Sequence, residues 1–270
     1  MYSIPNPFLL ILDKVMKRVN GSRNGGIQWS MKERLEDLDY ADICLLAQRF
    51  CDKEEKLKRL KDEAELVGLH ININKMKGMR VNTSNMQKFR LEETEVEEAV
   101  SFVYLGSVVS ESGGTEEDVR NRIKKANAVF VHLYPVWRNL NILKEVKLRI
   151  FNTNVKSVLY ACETWKTTNQ ITRRLQIFTN KCLRRMMNIK WTDKITNEEL
   201  WRITHQKSIH NQIKSRKWNW IGHTLRKERR AIEKTALDWN PQGYRRRGRL
   251  KRTWRRTVED EIEKHKKIME

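Results

Sequence analysis

No apolar stretch in this chain approaches the length of a membrane span. The longest, Phe8-Leu9-Leu10-Ile11-Leu12, runs straight into Asp13 and Lys14. It also lacks a basic leader and a small-residue cleavage site, which argues against a secretory signal. Cysteine is scarce: Cys44, Cys51, Cys162 and Cys182 form no C-x-x-C pair. Reduced structural thiols are expected, not a disulfide frame. No phosphate-binding loop, dinucleotide fingerprint or Ser-His-Asp arrangement is present. His205, His210 and His223 are irregularly spaced, with only Cys182 for company, so structural histidines are favoured over a metal site. These absences imply a nuclear or cytoplasmic chain, neither secreted nor membrane-bound, with no small-molecule substrate.

What the chain has in excess is positive charge. Its 55 Lys and Arg against 34 Asp and Glu give a formal net charge of +21. A surplus of that size attracts polyanions, and clustered Lys and Arg neutralise phosphate. RNA or DNA is therefore the expected partner. At 39% hydrophobic content over 270 residues there is enough apolar material for real cores.

Periodicity then sets the organisation. Leu9, Leu12, Val15 and Met16 share one face of a predicted N-terminal helix. Asn20-Gly21-Ser22 and Asn24-Gly25-Gly26 break it, and Ile27 to Trp29 reads as a short strand. Asp52 to Val67 is predicted helical, with Asp52 and Glu55 as a capping pair and Gly68 as its stop. Leu69, Ile71 and Ile73 alternate with polar residues, the pattern of a half-buried strand. Two or three more strands are expected from Phe89 to Val109. Beyond Gly113-Gly114 the period becomes helical. Thr115 and Asp118 resemble a capping box, and Pro135 ends that helix. Further helices are expected over 143–159 and 171–187, then around Ile209 to Ile221 and from Val258 onward. Thr196 and Glu199 form another capping-box candidate.

Leu38-Asp39-Tyr40-Ala41-Asp42-Ile43-Cys44-Leu45-Leu46 holds the most chemical information. Apolar residues frame a short acidic turn, the layout of a hairpin with an acid at its tip. Tyr40-Ala41-Asp42 resembles the metal-binding corner of a reverse-transcriptase palm. Four further blocks follow the order of one family. Gly68-Leu69-His70-Ile71-Asn72 with Asn74-Lys75-Met76-Lys77 resembles the next palm motif. Tyr104-Leu105-Gly106-Ser107 resembles the primer-grip hairpin. Val158 to Trp165 and Trp220-Ile221-Gly222-His223-Thr224-Leu225-Arg226 resemble its thumb and C-terminal blocks. Pro7-Phe8-Leu9-Leu10 resembles the palm helix that precedes the hairpin. The chain thus resembles, nearly end to end, the C-terminal part of a reverse transcriptase from a non-LTR (LINE-type) retrotransposon.

That resemblance implies an α+β fold. A truncated palm with antiparallel strands would occupy residues 1–110, a mostly helical thumb 111–190 and a basic, Trp-rich helical region 191–270. It also implies magnesium chemistry in the parent family, an RNA-directed DNA polymerase. Two metals must be clamped there by carboxylates from separate strands. The departures cut against that chemistry. Ile43 stands where the family has a second Asp, and an upstream carboxylate strand, the fingers and an endonuclease domain are not expected in this sequence. Asp42 is left as the sole catalytic and metal-binding remnant, an incomplete site with no stably bound ion expected. Glu36, Asp37 and Asp39 read as a solvated edge or turn. Val158-Leu159-Tyr160 and Gly248-Arg249-Leu250 also depart from the family pattern. The expected function is that of a catalytically inactive fragment with residual nucleic-acid binding. The alternative is part of an active enzyme completed by a second chain or by upstream sequence.

Candidate phosphate contacts follow from charge. Arg245, Arg246, Arg247, Arg249, Lys251 and Arg252 form an acid-free run, extended by Arg255 and Arg256. It reads as a binding tail or import patch, or alternatively a solvated linker. Lys214, Arg216, Lys217 and Trp218 interleave cations with aromatic rings, which suits single-stranded nucleic acid. Trp218 and Trp220 could equally be core. Lys75 and Lys77 follow the palm motif. Lys124 and Lys125 lie on the thumb-like helix, where a duplex would pass or solvent would lie.

Overall fold

The computed structural model describes residues 7–20, 25–30, 33–39, 42–81, 83, 87–111, 113–229, 231–239 and 253–269, with 264–269 as backbone only. These residues form two compact units. One comprises the chain up to Gly113 together with Asp238 and Trp239. The other comprises Gly114–Leu237 and 253–269.

The N-terminal unit is organised by two helices, α1 (Pro7–Asn20) and α2 (Phe50–Glu65). Val15, Met16 and Val19 of α1 bury against Leu60 of α2. One turn earlier along α2, Leu57 buries against Phe89, Leu91 and Val96. Leu45 touches both clusters. The first turns of α1 leave Phe8, Leu9, Leu10 and Ile11 exposed.

The strands of this unit pair two by two. They are β1 (Ile27–Gln28), β2 (Arg34–Leu35), β3 (Asp37–Asp39), β4 (Ile43–Leu45), β5 (Lys77–Gly78), β6 (Arg90–Leu91), β7 (Thr94–Glu95), β8 (Glu97–Glu98), β9 (Ser101–Tyr104) and β10 (Ser107–Ser110). β5 and β8 run parallel, while the other pairs are antiparallel. β9 and β10 turn at Leu105 and Gly106, both with positive φ (48° and 80°), as a two-residue hairpin loop requires. At Gly78 an added Cβ would sit 2.3 Å from a ring carbon of Phe89, so the ring packs where only glycine fits.

Two expectations need correction here. Residues 69–72 make no ladder, and 73–75 form a 3-10 turn in place of a strand. Ile71 packs into the α1–α2 cluster and Ile73 into the Phe89 cluster, so alternation serves two cores with no pairing partner. The helix after the hairpin begins at Phe50, not Asp52, and Asp52 receives the Arg49 guanidinium at 2.9 and 3.0 Å in place of a backbone N–H.

The second unit is helical: α3 (Glu116–His132), α4 (Tyr134–Arg138), α5 (Lys144–Ile150), α6 (Asn169–Met186), α7 (Asn197–Ile203), α8 (Ile209–Leu225), α9 (Ile232–Asp238, its last residue in the other unit) and α10 (Trp254–Met269). A π-helical turn (Phe151–Val155) and a 3-10 turn (Lys156–Leu159) prolong α5. One core joins Val119, Ala126 and Phe130 of α3, Phe151 and Val155, and Ile171, Leu175, Phe178, Cys182 and Met186 of α6. Leu200, Ile209 and Ile213 join it. The α6 residues are those its 3.6-residue period marks as inward.

Hydrogen bonds fix this core's polar seams. The Trp137 indole donates to the Phe130 carbonyl at 2.8 Å, and the buried Lys147 ammonium donates to the Trp137 carbonyl at 2.9 Å. Asn180 Oδ1 accepts from Gln176 (2.8 Å) and from the Trp201 indole (2.9 Å). Thr168, Thr196 and Ser208 cap α6, α7 and α8 through their hydroxyls. Thr115 does not cap α3, because its hydroxyl accepts from the Lys166 amide at 3.1 Å and Asp118 is paired with Arg122.

Candidate nucleic-acid interface

The acidic hairpin forms where its sequence places it. Asp37 pairs with Leu45, Leu38 with Cys44 and Asp39 with Ile43. Tyr40 and Ala41 lie outside the described residues, and Asp42 is exposed. The open end is closed by Lys56, 5% exposed. Its ammonium donates to the carbonyls of Glu36 (3.2 Å) and Leu46 (3.1 Å) and pairs with the Glu36 carboxylate at 3.0 Å. The Tyr104 hydroxyl of β9 donates to the Leu38 carbonyl at 3.1 Å.

The acids here are not all the solvated edge or turn that the sequence implies. Glu36 neutralises a buried lysine. Burial first, then neighbouring Asp39, pushes the Asp37 carboxyl above its usual range, against an opposing amide hydrogen bond from Asn20. Burial and the nearby Cys44, Asp39, Asp42 and Asp37 push the Tyr104 phenol up as well. A catalytic ion pair needs several carboxylate oxygens at one point. Among the described residues no three His, Cys, Asp or Glu side chains are grouped to hold an ion. Asp42, followed by the apolar Ile43, does not by itself make such a set.

The cations are distributed over both units. Lys75 is exposed on its 3-10 turn. Lys77 pairs with Glu97 across β5 and β8 at 3.0 Å. Lys124 and Lys125 are exposed on α3. On α8 the face is split. Lys214 is half-buried. Lys217 is 1% exposed. Its ammonium pairs with Glu261 of α10 at 2.6 Å, and the Trp218 indole donates to the same carboxylate at 2.8 Å. Both therefore serve the docking of α10, which corrects their reading as a base-stacking and phosphate-binding pair. Trp220 meets Trp254 edge-on at 5.9 Å, and Trp254 donates to the Glu163 carbonyl at 2.8 Å. Arg255 donates to the Leu237 carbonyl at 2.7 Å, and both Arg255 and Arg256 are half-buried. Arg245, Arg246, Arg247, Arg249, Lys251 and Arg252 lie outside the described residues.

The opposite face of α8 is polar. Asn211, Gln212, Ser215 and Arg216, at helical spacing, line a groove of about 530 Å³ with Lys207. Of these the sequence had flagged only Arg216, since three of the others carry no charge. Trp191, 90% exposed, is the tryptophan of this region whose ring faces solvent most fully.

The cysteines are unpaired. Burial pushes the Cys162 thiol up to about 11 and the Cys182 thiol up to about 12, while Cys51 is exposed. Thiolate is the reactive form. A thiol reagent at neutral pH is thus expected to modify Cys51 first and to reach Cys162 and Cys182 only on unfolding. Peptide mapping by mass checks this, and rapid native labelling of Cys182 would contradict its burial.

Two comparisons bear on origin. Residues 129–160, from the end of α3 through the 3-10 turn, match a family model described as a domain of unknown function (DUF6451). Over 239 residues the chain is 23% identical to a Caenorhabditis elegans protein named as uncharacterized and transposon-derived, covering 84% of this chain and 85% of that one. The similarity spans most of both chains and supports a transposable-element origin. Among the described residues no helix is long and apolar enough to cross a membrane.

Proposed function

We propose that this chain is a fragment of a non-LTR (LINE-type) reverse transcriptase that has lost polymerase chemistry and retains binding to RNA or DNA phosphates. One observation carries the inactive half of this reading: the hairpin tip offers Asp42 and then Ile43. Of the hairpin's other acids, Glu36 is committed to Lys56 and Asp37 to Asn20, and Asp39 is exposed on β3. The charge of +21 supports the binding half. The transposon-derived relative supports the origin.

A second reading keeps the enzyme and assigns the missing carboxylates to another polypeptide. The exposed apolar turn of α1 (Phe8, Leu9, Leu10, Ile11) favours it, because a helix apolar on all sides is ordinarily covered.

Primer extension separates the two. The purified chain, given a primed RNA template, deoxynucleotides and Mg²⁺ or Mn²⁺, is expected to incorporate nothing. Inserting an Asp after Asp42 is expected to leave it inactive, since one added carboxylate still does not assemble a two-metal site. Incorporation by the unaltered chain would sink the first reading. Incorporation only after adding a second polypeptide would establish the second.

A further inference from the structure

The groove on α8 holds more positive charge than its surroundings answer. Arg216 donates to the Leu159 carbonyl at 3.1 Å. A guanidinium has five N–H donors, so one such bond leaves most of them unused. Lys207 is exposed on the same rim. The Lys156 ammonium donates to Gln206 Oε1 at 2.6 Å, a neutral acceptor. Among the described residues no carboxylate is paired with Lys156, Lys207 or Arg216.

A part-buried ammonium without a counter-ion is costly, and a second cation beside it raises that cost. The strain registers in Lys156 itself: burial, then the charge of Arg216, pulls its ammonium down from the usual lysine range to about 8. Elsewhere in this unit the buried Lys217 has its carboxylate. The groove also presents the side chains of Asn211, Gln212 and Ser215. A guanidinium fork, an ammonium, amide groups and a hydroxyl around one hollow suit a tetrahedral oxyanion.

We propose that this groove is a phosphate site, in which Arg216 and Lys207 hold one phosphodiester of a bound nucleic-acid strand. Lys156 stands behind Arg216 as supporting charge. This rests on the nucleic-acid reading above and deepens it, because it names where one backbone phosphate sits. Asn211, Gln212 and Ser215 are the neutral donors that complete the shell.

The test uses the full chain and a labelled single-stranded RNA, with affinity measured across a salt series. Each phosphate contact to a single strand adds about 0.7 to the slope of log affinity against log salt. Arg216→Gln and Lys207→Gln are each expected to lower that slope by about 0.7, and Lys17→Gln, on α1, to leave it unchanged. Lys207 is exposed, so its variant stays informative even where Arg216→Gln, which loses the Leu159 bond, unfolds the protein. RNA binding with slopes that all three variants leave equal overturns the site and spares the broader reading.

Pyrophosphate, followed by thermal stabilisation, covers the remaining case. If the unaltered chain binds no RNA or DNA, the broader reading falls. Stabilisation by pyrophosphate that Lys207→Gln or Arg216→Gln abolishes would then keep the groove as a site for free phosphate. No stabilisation of the unaltered chain would overturn the groove as well.

Discussion

Raising salt from about 50 to 200 mM is expected to cost the chain roughly 300-fold in affinity for single-stranded RNA, the loss that about six neutralised phosphates give at about 0.7 each on the log–log slope. Lys75, Lys124, Lys125, Lys207 and Arg216 are cations with no carboxylate partner among the described residues. The acid-free run Arg245 to Arg252 adds more charge. Lys217 and Lys77 drop out of the count, because each is already paired with a carboxylate within the fold. The effect should be nearly blind to base sequence, since phosphate contacts position a strand but do not read it. Fluorescence anisotropy with two unrelated oligonucleotides across the salt range measures both points. An affinity flat in salt would mean that apolar or stacking contacts dominate, and the electrostatic reading would fail. Strong preference for one oligonucleotide would point to base readout, which nothing in the described surface provides for.

Where a local pattern sufficed, the fold could be read from the chain. The inward stripe of α6, Ile171 through Met186, needs only a helical period and a core to face. The β3–β4 hairpin needs only a short turn between Leu38 and the apolar Ile43-Cys44-Leu45, and Thr196 caps the helix its hydroxyl precedes. Legibility ended where a distant residue decides. Lys217 sits between Arg216 and Trp218 and looks like part of a basic surface. Glu261, far along the chain, turns it inward. Thr115 matches a cap, but Lys166 takes its hydroxyl. The alternating Leu69 to Ile73 segment has a strand's period and no neighbour with which to form a ladder. The groove on α8 stayed hidden for another reason. Its neutral members, Asn211, Gln212 and Ser215, carry no compositional signal, and only the helix brings them beside Arg216.

Glu261→Ala is expected to be the most damaging single substitution outside the apolar core, at about 3–5 kcal/mol, because it strands a buried ammonium. Lys217 and Glu261 have side chains 1% and 15% exposed, and no other carboxylate is paired with Lys217. The same change removes the acceptor of the Trp218 indole. Against α8 and Glu163, α10 would then keep the Trp254 contacts, a ring pair and one hydrogen bond. Urea unfolding followed by tryptophan fluorescence gives the loss, and limited proteolysis between α9 and α10 reports whether α10 lets go first. Lys217→Met combined with Glu261→Leu is the decisive control. Burying two apolar chains in place of the pair removes both charges together, so the double variant is expected to be far more stable than Glu261→Ala alone. A Glu261→Ala cost below about 1 kcal/mol would mean that water reaches Lys217, as in an ordinary surface pair. In that case Lys217 would return to the set of cations open to phosphate, and the division of α8 into a docking face and a binding face would be lost.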